Sequence, residues 1–404
     1  MAVTPDPLAD LADLAGLVGV AQADADVVRL LTDVLADRRA GGPRAVDGVT
    51  VDLDADLWSR LDGLGLTLLA SPESAGGSGA TWRELSALLG LAAGAAAPVP
   101  LAEHQLAAWL LERAGLPHDG ALRVVARVDG GGSDRPGHSG RTAPTAHRVA
   151  WASAATSVVA LVRVDGRCRV ADVPVTDLTV SPGRDLAGQP CDTVRFAAAD
   201  LAEGVVVDAS VAQRLHLLEA LARCAQVVGA MERVLELVLT HARQREQFGR
   251  PIGRFQAVQH LVADVAMETA LARAATDAAV ASACDAADHD GGRAGLDGRD
   301  DTGADDRRLE VDVAVAASCV GHASSVVVRA AHQVLGAMGT TAEHELHRLT
   351  RPVLVWRNVA GPVHEWDRRL TRLAAAAGRD GLWPLVTTDG PAPRPQPDGE
   401  DRHE

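Results

Sequence analysis

Apolar and polar positions alternate along this chain with two different periods, and the period changes twice. Over residues 1–120 the apolar positions recur every three to four residues. The run "DADLWSRLDGLGLTLLASPESAGGSG" carries such a stripe and then a glycine-rich stop. "TWRELSALLGLAAG" and "LAEHQLAAWLLERAG" repeat the pattern, each closing on glycine. These spacings predict an N-terminal helical domain over 1–120. From 121 to 207 short valine-rich runs take over: "LRVVARV", "HRVAWA", "SVVALVRV", "CRVADVPV", "LTVS" and "DTVRFA". Gly, Pro or Asp separates them, which predicts a middle domain built as a small antiparallel sheet or β-barrel.

Helical spacing returns in "VAQRLHLLEALARCAQVVGAMERVLELVLTHARQREQF" and in "GRFQAVQHLVADVAMETALARAATDAAVASACDAA". Both are too long for single helices outside a bundle. "LEVDVAVAASCVGHASSVVVRAAHQVLGAMG" and "EHELHRLTRPVLVWRNVAGPVHEWDRRLTRLAAAAG" supply a third and a fourth helical region. Residues 208–385 therefore predict a C-terminal helical bundle. Inside it, 288–308 is rich in Gly and Asp with almost no apolar residue, and reads as a flexible loop. The stretch 386–404 is polar and proline-rich and reads as a disordered tail. The fold class is α+β, in the order helices, β module, helices.

Composition narrows what such a fold does. The chain has 404 residues, 47% of them hydrophobic, enough for a substantial core and roughly two to three domains. A net charge of −15 argues against nucleic acid or an anionic membrane as the main partner. The apolar run "LLGLAAGAAAPVPLA" is shorter than the roughly 20 residues that span a bilayer. The acidic, proline-broken opening does not read as a leader. A soluble, cytoplasmic protein is expected. Five scattered cysteines without CxxC spacing predict free thiols. The chain has no lysine and no tyrosine, which excludes Schiff-base lysines, P-loop lysines and tyrosine acids. His344 and His347 stand at i, i+3, a spacing that can ligate metal. No cysteine or acidic cluster accompanies them, so they read as helix or loop histidines.

One stretch departs from the acidic average. In "RQREQFGRPIGRFQAVQH", at 243–260, arginines 243, 245, 250 and 254 meet a single Glu246. Phe248 and Phe255 are two of only three phenylalanines. Planar guanidinium groups suit a diphosphate and the phenyl rings suit an aromatic ring system. Two readings stand at this point: a site for an anionic, aromatic cofactor, or a solvated helix end with arginines near its C-terminal dipole.

The pattern R-x-Q-F-G-x-x-I-x-x-F-Q-x-x-x-H-x-x-A-D, carried by "REQFGRPIGRFQAVQHLVAD", resembles the acyl-CoA dehydrogenase family. "LWSRLDGLGLTLLASPESAGGSG" and "HQVLGAMGTTAEHELHRLTR" are similar to two further family segments. The resemblance implies an N-terminal helical domain, a middle β-barrel and a C-terminal four-helix bundle. It also implies an FAD between barrel and bundle, an acyl-CoA substrate, an electron-transfer flavoprotein as acceptor, and assembly into homo- or hetero-oligomers, dimers or tetramers. Carried over residue by residue, Arg245 would meet the FAD pyrophosphate of a neighbouring subunit, beside Gln247 and Phe248. Gln256 and Gln333 would line the nucleotide, and Gly336 would let the backbone approach it. "WAS" resembles the family's W-I-T, which puts Trp151 over the flavin and Ser153 at a hydroxyl contact. The alternative for Trp151 is a barrel core residue.

The family's reaction removes an α-proton with a carboxylate while the β-hydrogen leaves as hydride to the flavin. In most members that carboxylate precedes a glycine, in E-G-T. Here "NVAGPVHE" puts Ala360 before Gly361, and Pro362 after it. Pro352 follows Arg351 where the family has an acid. A subset resembling isovaleryl-CoA dehydrogenase instead carries its base on the first bundle helix, which "LEALARCAQVVG" matches with Glu219. Arg223, at i+4, offers the structural alternative of a surface Glu219–Arg223 pair. Glu365 and His364 lie just past the loop and become candidates under a register slip. Three functions are open: a dehydrogenase with Glu219 as base, a non-catalytic partner subunit that lends FAD contacts to another chain, or a flavin enzyme with other, oxygen-dependent chemistry.

Overall fold

The computed structural model describes residues 8, 23–40, 50–128, 143–164, 167–291 and 302–387. Among the described residues four α-helices come first: α1 Ala25–Ala40, α2 Ala55–Gly63, α3 Trp82–Gly94 and α4 Leu101–Arg113. Their starts follow local chemistry. The Asp54 carboxylate accepts from Leu57 N at 3.1 Å. At α3, Thr81 and Glu84 form a reciprocal capping box. Leu31, Leu35, Leu61, Leu88 and Leu101 make the core that joins these helices.

The described residues of the middle region hold seven strands, β1 Arg123–Val128, β2 Thr145–Ala150, β3 Ser157–Val164, β4 Arg167–Pro174, β5 Thr179–Ser181, β6 Cys191–Arg195 and β7 Val205–Val207, with a short helix α5, Ala198–Ala202, before β7. They form two sheets, β1-β3-β4-β7 and β2-β6-β5, around one core of Val124, Val158, Val194, Phe196 and Trp151. The antiparallel expectation fails at one pair: β1 runs parallel to β3, with Val124 opposite Val158. The reason is that β2, between them in sequence, belongs to the other sheet, so the chain crosses over before β3 returns. Among the described residues the two sheets share side chains and no ladder closes them into a barrel.

The bundle is α6 Ala209–Gln244, α7 Gln256–Gly291, α8 Thr302–Leu335, α9 Leu346–Trp356 and α10 Val363–Val386. Helix takes residues 288–291 and 302–308 at both ends of the segment read as loop; its centre, like most of the tail from 388, lies outside the described residues. α10 breaks at Gly378, whose φ of 67° is left-handed. α3 crosses α6 at a glycine pair. A Cβ on Gly229 would stand 2.1 Å from the Gly90 carbonyl oxygen, so the contact admits only backbone. That crossing sets α3 and α4 against the middle of α6, where the candidate site lies.

Candidate functional site

α6 ends in an arm. Its last turn is capped by Arg245 N donating to His241 O at 2.9 Å, and the chain then folds into a hairpin of β8 Glu246–Gln247 and β9 Arg250–Pro251. The two loop residues, Phe248 and Gly249, have φ of 53° and 75°. Positive φ at both positions is what a tight two-residue hairpin requires, and it strains the phenylalanine by about 1 kcal/mol. Phe248 is nonetheless 91% exposed, in edge contact with Phe255, over which the Arg250 guanidinium stands at 4.3 Å. Arg245, Gln247, Arg250, Arg254 and Gln256 are exposed along the same arm. The start of α7 and the end of α8 lie at this end of the bundle because α6, α7 and α8 run alternately up and down. Gln333 and Gly336 are exposed there, and Gly336 has φ of 58° with open space where a Cβ would be. The geometry therefore gathers Arg245, Gln247, Phe248, Gln256, Gln333 and Gly336 at one end, facing out.

Half-buried imidazoles back this end. Burial first, then His344 and Arg245, hold His241 below the ordinary histidine range, and burial with its histidine neighbours does the same to His332. His344 Nδ1 accepts from Leu346 N at 3.0 Å, and His332 bonds Thr350. Among the described residues no group of three metal-ligating side chains converges.

The other half of the expected site looks different. Trp151, at φ 61°, is 3% exposed; it belongs to the sheet core and also walls a cavity shared with Glu103, Gln189, Arg223, Gln226 and Trp356. This is the core placement that the sequence offered as the alternative for Trp151. Ser153 is exposed and its backbone N donates to buried Asp192 at 2.7 Å. The cavity itself has only about 10 Å³ of free space, about the room for one water. An ion pair is part of its lining. Arg223 Nη2 donates to Glu103 Oε1 at 2.6 Å, with side chains 7% and 10% exposed, and Arg223 Nη1 donates to Gln226 at 2.7 Å.

That pair corrects one expectation. Arg223 is Glu103's partner across the α4–α6 contact and does not bond to Glu219. A guanidinium buried this deeply needs a partner as buried as itself, and Glu103 supplies it. Glu219 turns the other way, 20% exposed, and its carboxylate is taken by Arg127 of β1. Beside it, His216 stacks on Trp366 at 5.2 Å and 8°. Burial, then Arg127, keeps the His216 imidazole below its ordinary range.

A second small cavity, of about 20 Å³, lies on the far side of Arg223. Ala220 and Cys224 of α6 face Ala360, Gly361 and Trp366 across it. Of the two positions where the resemblance puts a base, Ala360 lines this cavity and Glu219 does not, and no carboxylate is among the lining residues. Gly361 has φ of 113°, and a Cβ there would lie 3.2 Å from Glu365 Oε2; Glu365 and His364 are exposed. Pro352 is buried within α9, and Arg351, without a following acid, donates twice to the Leu186 carbonyl. Arg223 and Trp356 line both cavities and form the partition between them.

Glu103 and Arg127 were missed in the sequence reading. A signal for Glu103 existed: it interrupts the apolar face of "LAEHQLAAWLL", where an unpaired acid would not be tolerated.

Comparison with known proteins bears on family and fold. The family described as "Acyl-CoA dehydrogenase, C-terminal domain" matches residues 209–364. Acyl-CoA dehydrogenase FadE34 of Mycobacterium tuberculosis is 32% identical over 339 residues, 81% of this chain and 44% of that protein. FadE27 of the same organism is 29% identical over 76% of this chain and 84% of its own length. The ChsE4-ChsE5 complex from Mycobacterium tuberculosis superposes with a TM-score of 0.70 at 24% identity, covering 93% of this chain and 99% of the other. The Tcur3481-Tcur3483 steroid ACAD variant does so with 0.67 at 22%, covering 91% and 98%. These two structures bear on the fold. The chain belongs to the acyl-CoA dehydrogenase family, and it spans less than half the length of FadE34.

An FAD, which this family implies, meets a divided fit. The arm offers exposed guanidiniums, amides and a phenyl tip suited to a dinucleotide. The cavity beside Trp151, lined by Arg223 and Glu103 among others, has about 10 Å³ of free space, too little for a flavin ring.

Proposed function

We propose that this chain works in the α,β-dehydrogenation of an acyl-CoA thioester as the subunit that lends a cofactor arm to a second, catalytic chain. The observation that carries this reading is the pairing of an exposed arm with a closed cavity. Arg245, Gln247 and Phe248 project where a neighbour's dinucleotide can be clasped. This chain's own ring cavity is shut by Arg223 and Glu103, and Ala360 stands where a base belongs. FAD, when bound between the chains, would accept the hydride. The residues of this chain would bind and orient it: guanidinium donors on the diphosphate, Gln333 and Gln256 on the nucleotide, Phe248 as a flat apolar cover. The proton would be taken by the partner's carboxylate.

Two of the similar proteins support a division of labour. One solved structure is described as a complex of ChsE4 with ChsE5, and FadE34 is more than twice as long as the part this chain matches. We infer a hetero-oligomer, cytoplasmic, passing electrons to an electron-transfer flavoprotein. The acyl group is left open; a similar structure is called a steroid ACAD, so steroid-like thioesters belong in any substrate panel.

A second reading keeps Glu219 as this chain's own base. It is favoured by Ala220, the next residue, lining the cavity opposite Ala360. Anaerobic flavin bleaching by short, branched, long and steroid-like acyl-CoAs separates the two. On the subunit reading, the chain with its partner bleaches and Glu219→Gln bleaches equally. If the chain bleaches alone and Glu219→Gln stops it, the second reading holds and the first fails.

A further inference from the structure

The small cavity beside Ala360 has a lining of one chemical kind. Its apolar walls are alanine and valine side chains, mostly of α6 and α8. The polar side chains among the rest are donors: the guanidiniums of Arg223 and Arg357 and the indoles of Trp356 and Trp366. Burial pushes the Cys224 thiol up to about 12, so it keeps its proton and is at most a weak acceptor. Two of the donors lack an acceptor: the Nε–H groups of Arg223 and Arg357 are both buried and unpartnered. Arg223 turns its Nη groups to Glu103 and Gln226, which line the cavity beside Trp151 and not this one. Arg357 gives its Nη1 to the hydroxyls of Ser324 and Ser325, and among the described residues no carboxylate pairs with it.

The acids nearby stay outside the lining. Glu103 already balances Arg223, and exposed Glu365 has its Oε2 3.2 Å from where a Cβ on Gly361 would be. Glu219 and Asp185 act on Arg223 through space, but Glu219 is held by Arg127 and Asp185 accepts from the backbone N–H groups of Ala187 and Gln189. An occupant must therefore accept and not donate. Among these side chains the two hydrogens of a water find no good acceptor, whereas a monatomic anion presents only acceptor surface. The free space of about 20 Å³ exceeds the roughly 10–15 Å³ that one water needs, which suits an ion slightly larger than water. Half-exposed Arg357 and Gly361 give it a way in.

We propose that the cavity beside Ala360 binds a monovalent anion of chloride size, held between the Nε–H groups of Arg223 and Arg357. The ion takes up two buried donors at once and supplies the negative charge that Arg357 lacks. It does so next to the position where most members of the family carry a carboxylate and this chain has alanine.

Chloride NMR linewidths in solutions of the full chain test this, because an ion exchanging with a fixed protein site relaxes faster than one in water. The excess linewidth saturates as for one site, and bromide displaces it while gluconate, too large for the cavity, does not. Arg357→Gln weakens chloride by about tenfold or more, as expected for loss of a charge-assisted hydrogen bond. Ala360→Val, which takes up space without touching a charge, removes the broadening. At constant ionic strength, replacing gluconate by chloride raises the thermal midpoint of the wild type and not of Ala360→Val. Absence of saturable broadening, equal displacement by gluconate and bromide, or undiminished broadening in either variant would each overturn the proposal. The displacement series uses the wild type alone, so it decides the matter even where a variant fails to fold.

Discussion

Arg223 is the residue on which the site turns. Its charge is buried and matched by Glu103, from a helix 120 positions earlier in the chain. Removing one member strands the other, so Arg223→Met is expected to cost about 3–5 kcal/mol. Replacing both, as Glu103→Leu with Arg223→Met, costs far less, because no charge is left behind. Urea unfolding of the two variants checks this, and equal losses would mean the pair is not the unit described. His104, next to Glu103, gives a pH signature. Burial is the main reason its imidazole is held at about 4, below the ordinary 6.5; its Nδ1 accepts from Arg123 N. The unfolded chain binds a proton there between those values and the folded chain does not. Stability is therefore full above about pH 6.5 and falls as pH drops toward 4, by about 3 kcal/mol in all. Urea midpoints at pH 7 and pH 4.5 should show this loss, and His104→Gln should flatten it. None of these pairings was legible from the sequence. Glu219 and Arg223 are neighbours by helical spacing, but their partners, Arg127 and Glu103, come from elements brought near only by the α3–α6 crossing and the sheet.

Whole elements were more legible, because each is written in contiguous residues. The long helices, the valine-rich strands and the arm motif follow from local period and composition. Two features did not. The parallel β1–β3 pair depends on which sheet β2 joins, a choice that no strand carries in its own pattern. The hairpin in the arm hides in a stretch that reads only as a turn, since Phe248 is a poor residue for positive φ. An exposed, strained aromatic is explained if it serves a ligand. Phe248→Ala and Arg245→Ala are thus expected to leave the thermal midpoint within about 1 °C, since exposed substitutions of this kind change stability little, while reducing flavin retained by the assembled complex. A drop in the midpoint would show instead that the arm is structural. At the α3–α6 crossing the expectation reverses. Gly229→Ala forces a Cβ into the Gly90 backbone and should destabilise by about 3 kcal/mol, measured by urea unfolding; a neutral result would contradict the crossing.

At the scale of the molecule, the exposed arm and the cavity beside Trp151 lie at different levels of the bundle. The arm is turned outward, while the chamber beside Trp151 has almost no free space between its own side chains. Ala360, Pro362 and Pro352 already departed from the family pattern in sequence, and the closed chamber gives those departures a common physical sense. On the proposed function, a molecule arranged this way completes a site in another chain. The most direct measurement is the flavin content, by visible absorbance, of this chain purified alone and purified with its partner, each with and without Arg245→Ala. The account predicts a colourless chain alone, a yellow complex, and loss of the colour when Arg245 is replaced in this chain only. A yellow chain on its own, keeping flavin through its own chamber whether or not Arg245 is present, would contradict it.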